Sequence, residues 1–434
     1  MSKAAIWSAE SVLELDRNDP LASFRNQFVI TDPEICYLDG NSLGRLPKAT
    51  IEKINSFLTN EWGAELVDGW SHWIDQAQTA GDLLAKTALG ANPGQTLVCD
   101  TTSVNFYQLC VAAIRANPGR NKIIIDSANF PTDRYIIQGI AKQFGLELIT
   151  LNSDGMGGPG AIDIPSEHEE ITVEALRPIL TSDVAMLTLQ AVNYRSGVKQ
   201  DIKGINELAK EYGIYVVWDC SHAIGSVALD FEQNGVELAV GCTYKYGNSG
   251  PGSPAWLFVK KSLQEKLQVP IQGWFAQEKQ FEMGAFFEPS DQIRGFQIAS
   301  PSIIGIRAVE VAFEMIGHAG IRTINDKASK GTQLMIDLYD QWLSDLGFTL
   351  ATPRDAARRG GHIIIQHPDA KQIANALRKL KKVIPDYREP GAIRLGISPL
   401  PTSYSEVYEG FRRLKELVES GEYRRVTESS SRVT

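Results

Sequence analysis

Lys245 stands between two tyrosines in the run Thr243 to Pro254, T-Y-K-Y-G-N-S-G-P-G-S-P, directly after the apolar segment V-E-L-A-V-G-C. An apolar run of that length reads as a buried strand, so the lysine is delivered at a strand end, with glycines that let backbone crowd around it. That is a poor place for a solvated surface amine and a good one for a lysine that forms a Schiff base. An ordinary lysine on a glycine-rich surface loop remains open from this window alone.

Other candidates also follow apolar runs, where parallel sheets gather their ligands. Asp219 closes I-Y-V-V-W-D, 26 residues before Lys245, and Cys220, Ser221 and His222 follow it. A carboxylate at the end of an apolar strand is partly desolvated and calls for a cationic partner, and a protonated pyridine nitrogen would serve. The spacing, one short crossover plus a strand, predicts that Asp219 and Lys245 leave the sheet at the same edge. After T-L-V-C, the segment D-T-T-S-V-N opens a helix; Thr102, Ser103 and the free N–H groups of its first turn make either a phosphate cradle or a plain N-cap. After K-I-I-I-D, Phe130 precedes Pro131 and is held in place to stack on a planar ring, while Asp133 could cap the helix that follows. Cradle, stacking ring, acidic partner and Schiff-base lysine together are the parts needed to hold pyridoxal 5′-phosphate, whose ring accepts electrons from a carbanion at the substrate's α-carbon.

The elements around these residues predict an α/β protein. From Thr96 on, short apolar or β-branched runs alternate with helical segments, which reads as a mainly parallel sheet buried on both faces. A-W-L-F-V-K, starting at Ala255, lies close enough to its predecessor to pair antiparallel. A long helical region from about Ser300 to Leu346 leads into a second alternating section, F-T-L-A-T, G-H-I-I-I-Q-H, a helix from Asp369, A-I-R-L-G-I-S and a helix through Glu416. The predicted layout is an N-terminal arm joining the small domain (1–60), a large cofactor-binding domain (61–305), a smaller C-terminal α/β domain (306–424) and a disordered tail (425–434). Between Lys48 and Leu89 the pattern is helical, with Trp62, Trp70 and Trp73 crowded together, as core or as the wall of a planar substrate's site.

The chain has 434 residues, 43% of them hydrophobic and 22% charged, with a net charge of −9. That balance argues against nucleic acid and anionic membranes as partners; the basic run R-K-L-K-K, Arg378 to Lys382, reads as a solvated helix face. No window approaches the ~18 apolar residues of a membrane span, and the first residues lack a signal peptide's apolar core. Five cysteines without a C-x-x-C pair, and six scattered histidines without H-E-x-x-H, predict no disulfide framework and no metal site. A cytoplasmic enzyme is expected.

Eight stretches, in order from Leu38 to Arg394, resemble the kynureninase family: L-D-G-N-S-L-G, T-S-V-N, F-P-T-D, V-N-Y-R-S-G, D-C-S-H-A, T-Y-K-Y-G-N-S-G-P-G-S-P, Q-G-W-F and R-E-P-G-A-I-R. The resemblance implies the pyridoxal-phosphate-dependent fold of type I and a homodimer acting on kynurenine. It implies that Lys245 carries the Schiff base, that Asp219 faces the pyridine nitrogen, and that Phe130 stacks with Asp133 beside it and His222 near the cofactor. Thr102, Ser103 and Tyr244 would hold the phosphate, and Tyr244 would also pass protons. Trp274 and Ser300 would reach the cofactor of the neighbouring subunit. Arg394 would clamp the substrate α-carboxylate, and Asn41 and Trp70 would line the substrate's aromatic end. Two positions depart from the family's pattern: Ser300 replaces Asn or Thr of some relatives, and Gln190 stands where relatives carry a small hydroxyl residue, with no role assigned. The alternatives are another class V enzyme of the aminotransferase group or a module that has lost its chemistry. A cysteine desulfurase needs a late nucleophilic cysteine, and the last one here is Cys242.

Overall fold

The structure is a computed structural model, described here for residues 6–426. The predicted tail therefore lies outside the described residues beyond Val426, while Arg425 ends a short 3-10 turn, Glu422–Arg425.

In chain order the strands are β1 (Cys36–Tyr37), β2 (Thr96–Val98), β3 (Lys122–Asp126), β4 (Glu147–Asn152), β5 (Ile162–Asp163), β6 (Val184–Gln190), β7 (Tyr215–Asp219), β8 (Leu238–Gly241) and β9 (Trp256–Val259). In the C-terminal part follow β10 (Thr349–Leu350), β11 (His362–Gln366), β12 (Val383–Ile384), β13 (Asp386–Arg388) and β14 (Ala392–Gly396). Strands β2 to β9 form one sheet in the spatial order β2-β9-β8-β7-β6-β3-β4-β5. Only β9 runs against the others, pairing antiparallel with β2 and β8, as expected for a strand that returns directly after a short loop. Every residue of β6 and β8 is buried, which is why their sequences read as unbroken apolar runs rather than alternating ones.

Strands β10, β11, β14 and β13 make a four-stranded antiparallel sheet, and β1 pairs with β12 in a separate ladder. The short β5, β12 and β13 are too brief to leave a periodic signal. Two apolar clusters accompany the sheets. One is built on the large sheet and includes Leu21, Phe28 and Phe57 from the N-terminal segment. The other joins Val12, Cys36 and Leu38 to the antiparallel sheet and to the Tyr404–Glu419 helix. The N-terminal segment thus stitches both clusters. The Ile303–Ala319 helix, which runs across residue 305, buries Ile306, Val309 and Phe313 in the larger cluster. A buried ion pair, Lys327 to Asp19 at 2.6 Å, ties the first segment to the long Ile321–Trp342 helix.

The region 48–89 is helical, as expected, in several interrupted pieces. It passes through π-turns at Phe57–Trp62 and Ala85–Leu89, and Leu66 adopts φ 54°. Trp70 and Trp73, one turn apart in the short helix Trp70–Trp73, meet edge to face at 5.7 Å. The basic run ends the Ala370–Lys381 helix as predicted. Among the described residues no helix is long and apolar enough to cross a membrane.

Candidate active site

The carboxyl ends of the parallel strands converge on one cavity of about 290 Å³, walled by Thr102, Ser103, Phe130, Asp133, Asp219, Tyr244 and Lys245 together with Thr101, Thr132, Ser221, Gly252, Ser253 and Ala255. Register explains the convergence. Gln190 pairs with Asp219 across β6 and β7, and Asp219 pairs with Val240 across β7 and β8. The chain therefore leaves β7 and β8 side by side, and the predicted common edge for Asp219 and Lys245 is observed.

Lys245 opens onto the cavity but is otherwise enclosed by protein, and burial pulls its pKa below the usual lysine value. Its Nζ lies 2.8 Å from Nε2 of His222. Burial first, and then the charges of Lys245 and Arg394, hold that imidazole well below its ordinary pKa, so it is neutral. The same Nζ sits 5.7 Å from the centre of the Phe130 ring and 6.0 Å from that of Tyr244. Tyr244's phenol is raised well above 10 by burial, with the Cys242 thiol adding to it.

The helix Thr102–Ala116 is capped by Thr101, whose hydroxyl accepts from Val104 N at 3.3 Å. The N-cap alternative for Thr102 and Ser103 is thereby replaced: both hydroxyls line the cavity at the helix's positive end. Asp133 does not cap its helix either. The helix Pro131–Phe144 has no side-chain cap, and Asp133 is buried with Oδ2 lacking any partner. Burial, reinforced by the charge of Asp219, lifts its pKa far above the carboxylate range. Asp219 itself accepts from Ser221 N at 2.9 Å and from Gln190 Nε2 at 3.4 Å. Gln190 received no role from sequence. Its signal was its place at the end of a strand adjacent to Asp219, readable only once strand order is known.

Arg394 is 1% exposed, in the middle of β14. It donates through Nη1 to Tyr194 O and through Nη2 to Ser42 Oγ at 2.9 Å, and pairs with Asp386 at 2.5 Å. With its amide oriented to face the guanidinium, Asn41 Oδ1 accepts from Nε at 2.7 Å and from Nη2 at 3.0 Å. Asn41 is thereby placed against the arginine. Gly44, in the same L-D-G-N-S-L-G loop, donates to Tyr244 O at 2.8 Å. A Cβ at Gly44 would stand 2.4 Å from Lys245 O, so only glycine lets this loop lie against the lysine.

Trp70, Trp274 and Ser300 lie outside the cavity. Trp70 packs on Phe275 at 6.1 Å and Trp274 on the same ring at 4.7 Å, so an aromatic row links them. Trp274 is 44% exposed and Ser300 is also exposed. Gly273 brings these two segments together: its Cβ position lies 1.8 Å from Ile298 O, closeness that excludes any side chain. His362, which sequence reasoning overlooked, is fully buried with its ring 5.6 Å from that of His222. All five cysteines are free and buried, and among the described residues no cluster of three or more His, Cys, Asp or Glu side chains is placed to hold a metal.

A family model described as the kynureninase C-terminal domain matches residues 324–414. Kynureninase from Pseudomonas fluorescens is 35% identical over 413 residues, 94% of both chains, and that of Burkholderia pseudomallei strain K96243 is 32% identical over 96% of both. The chain belongs to the kynureninase family. Solved structures share its fold at low identity. A C-DES mutant with glycine covalently linked to its PLP cofactor superposes with a TM-score of 0.76 at 15% identity, covering 90% of this chain and 99% of that one. The cysteine desulfurase CsdA from Escherichia coli superposes at 0.74 and 16% identity, covering 96% and 100%. The fold is the pyridoxal-phosphate-dependent type I fold, and pyridoxal 5′-phosphate is the cofactor. The cavity fits it: hydroxyls at a helix N-terminus for the phosphate, an amine with depressed pKa for the aldehyde, and buried carboxyls, one with an orphaned oxygen, for the ring's polar edge.

Because only the neutral amine attacks an aldehyde, cofactor uptake by the apoprotein should decline as pH falls through Lys245's depressed pKa, with its midpoint below the ~10.4 of a free lysine. Stopped-flow absorbance measures this, and Lys245→Ala should show no borohydride-sensitive visible band. Retention of that band in the variant would remove Lys245 from the role.

Proposed function

We propose that the chain is a pyridoxal-phosphate-dependent kynureninase: a hydrolase that adds water across the Cβ–Cγ bond of L-kynurenine to give anthranilate and L-alanine, as in tryptophan catabolism and NAD biosynthesis. The 3-hydroxy analogue, giving 3-hydroxyanthranilate, is the second candidate substrate. The observation that carries the reading is the enclosed Lys245–His222 contact beneath Phe130 and beside Asp219, in a chain whose relatives of that name align end to end.

The bound cofactor supplies an electron sink for carbanions generated on the substrate. Thr102, Ser103 and Tyr244 hold its phosphate, Phe130 stacks on its ring, and Asp219 faces the ring nitrogen with Gln190 steadying the carboxylate and Asp133 beside it. Once the substrate amine takes its place, Lys245 is free to move the α-proton, with neutral His222 2.8 Å away. Tyr244, kept protonated by burial, delivers a proton to the carbon freed by cleavage. Arg394 grips the α-carboxylate, and Asn41 and Ser42 orient the guanidinium. Trp70 borders the aromatic end of the substrate. Trp274 and Ser300, exposed on adjoining segments, serve the cofactor of a second copy in a homodimer. In this reading 61–305 bind the cofactor, 306–424 close over it, and the five unpaired cysteines suit a reducing cytoplasm.

Incubation with L-kynurenine and no keto acid should release fluorescent anthranilate and L-alanine in equal amounts; a requirement for a keto acid would instead identify an aminotransferase. Arg394→Ala should raise KM roughly 30- to 1000-fold, the loss of a buried charge-paired contact of about 2–4 kcal/mol, while leaving the cofactor spectrum unchanged. Unchanged kinetics would withdraw the clamp. Sedimentation should give a species of two 47.8 kDa chains; a monomer retaining full activity would contradict the shared site.

A further inference from the structure

The face of the small sheet that looks toward Lys245 carries one acid between two arginines. Asp386 stands directly opposite Arg394 across the β13–β14 pair. Its Oδ2 is 2.5 Å from Arg394 Nη2 and 2.7 Å from Arg388 Nε, whereas Oδ1 is buried and has no partner.

A guanidinium has five N–H donors, and a bidentate grip on a carboxylate uses two parallel ones. Both edges of the fork that can offer such a pair, Nη1 with Nη2 or Nε with Nη2, require a hydrogen on Nη2. Nη2 has two hydrogens, and three acceptors already surround it: Ser42 Oγ at 2.9 Å, Asn41 Oδ1 at 3.0 Å and Asp386 Oδ2. A substrate carboxylate can therefore bind only by displacing one of them. Ser42 and Asn41 are neutral and remain compatible with an incoming anion. Asp386 is not: its charge repels the newcomer, and it alone has a second cation at hand to receive it.

We propose that Asp386 is an internal carboxylate latch, which occupies Arg394 before substrate binds and passes to Arg388 when the substrate's α-carboxylate takes its place. The proposal rests on the clamp role of Arg394 given above. The apparent affinity for substrate is then the intrinsic affinity reduced by the fraction of molecules in which Nη2 is released. Arg388, half-buried with its guanidinium 6.0 Å from the Tyr194 ring, is the receiving group rather than a substrate ligand.

The test uses the holoenzyme, titrated with L-alanine through its visible spectrum and assayed with L-kynurenine. With the latched form at about nine molecules in ten, Asp386→Asn should lower both the Kd for L-alanine and KM roughly tenfold, with little change in kcat. Arg388→Met should raise both, and should have no further effect in the Asp386→Asn background, since the two act as one device. A Kd that rises or stays constant in Asp386→Asn would make Asp386 a fixed anchor and overturn the latch. An Arg388→Met effect of equal size in both backgrounds would make Arg388 a direct ligand and overturn it as well. If Asp386→Asn does not fold, Asp386→Ser takes its place in the same titrations, alone and combined with Arg388→Met, and is read in the same way. Arg394→Ala separates the premise from the proposal, because unaltered L-alanine affinity there would fault the clamp itself.

Discussion

An amine reacts with an aldehyde only when it is unprotonated, and in this chain taking Lys245 out of water favours that form. Burial lowers its pKa, and the imidazole hydrogen-bonded to its Nζ, that of His222, is itself held neutral. The rest of the site follows from keeping that pocket closed and polar only where a ligand needs it. The strands that deliver Lys245, Asp219 and Phe130 run parallel, so their carboxyl ends share one edge, and the apolar sheet behind that edge gives the low-dielectric backing on which the shifted pKa values depend.

Closing the pocket requires segments far apart in sequence. The loop around Gly40 to Gly44 is pinned at one end to Tyr244 O and at the other to Arg394 through Asn41 and Ser42. It thus joins the lysine loop of the large sheet to a strand of the small one. Because Arg394 is fully buried, each of its contacts replaces water that a cation would otherwise demand. A guanidinium so completely satisfied is oriented before substrate arrives, which favours specificity; the same saturation is why binding must be an exchange.

Much of the site was legible from residue types at strand ends. Lys245, Asp219, Phe130, Thr102 and Ser103 each follow an apolar run, and a parallel sheet turns that one-dimensional pattern into a three-dimensional cluster. The less legible residues have their partners elsewhere. Asp133 reads as a helix cap because capping is a local signal, yet its neighbour Asp219 lies 86 residues away, and Asn41 sits against Arg394, 353 residues away. Gln190, His362 and Asp386 have no local signature at all, since their neighbours are set by strand register and by the packing of one sheet against the other.

The sequence by itself determined the chemistry class: which strands are buried on both faces, which residues leave them, and, through eight ordered motifs, the family. Those features depend on burial periodicity and local backbone preference, both written within windows of a few residues. Only the tertiary structure decided which hydroxyls remained available after Thr101 took the cap, which carboxyl was left with an unpartnered oxygen, and how many acceptors crowd Arg394. Hydrogen-bond saturation and desolvation are properties of the whole enclosure around a group, and no stretch of chain contains them.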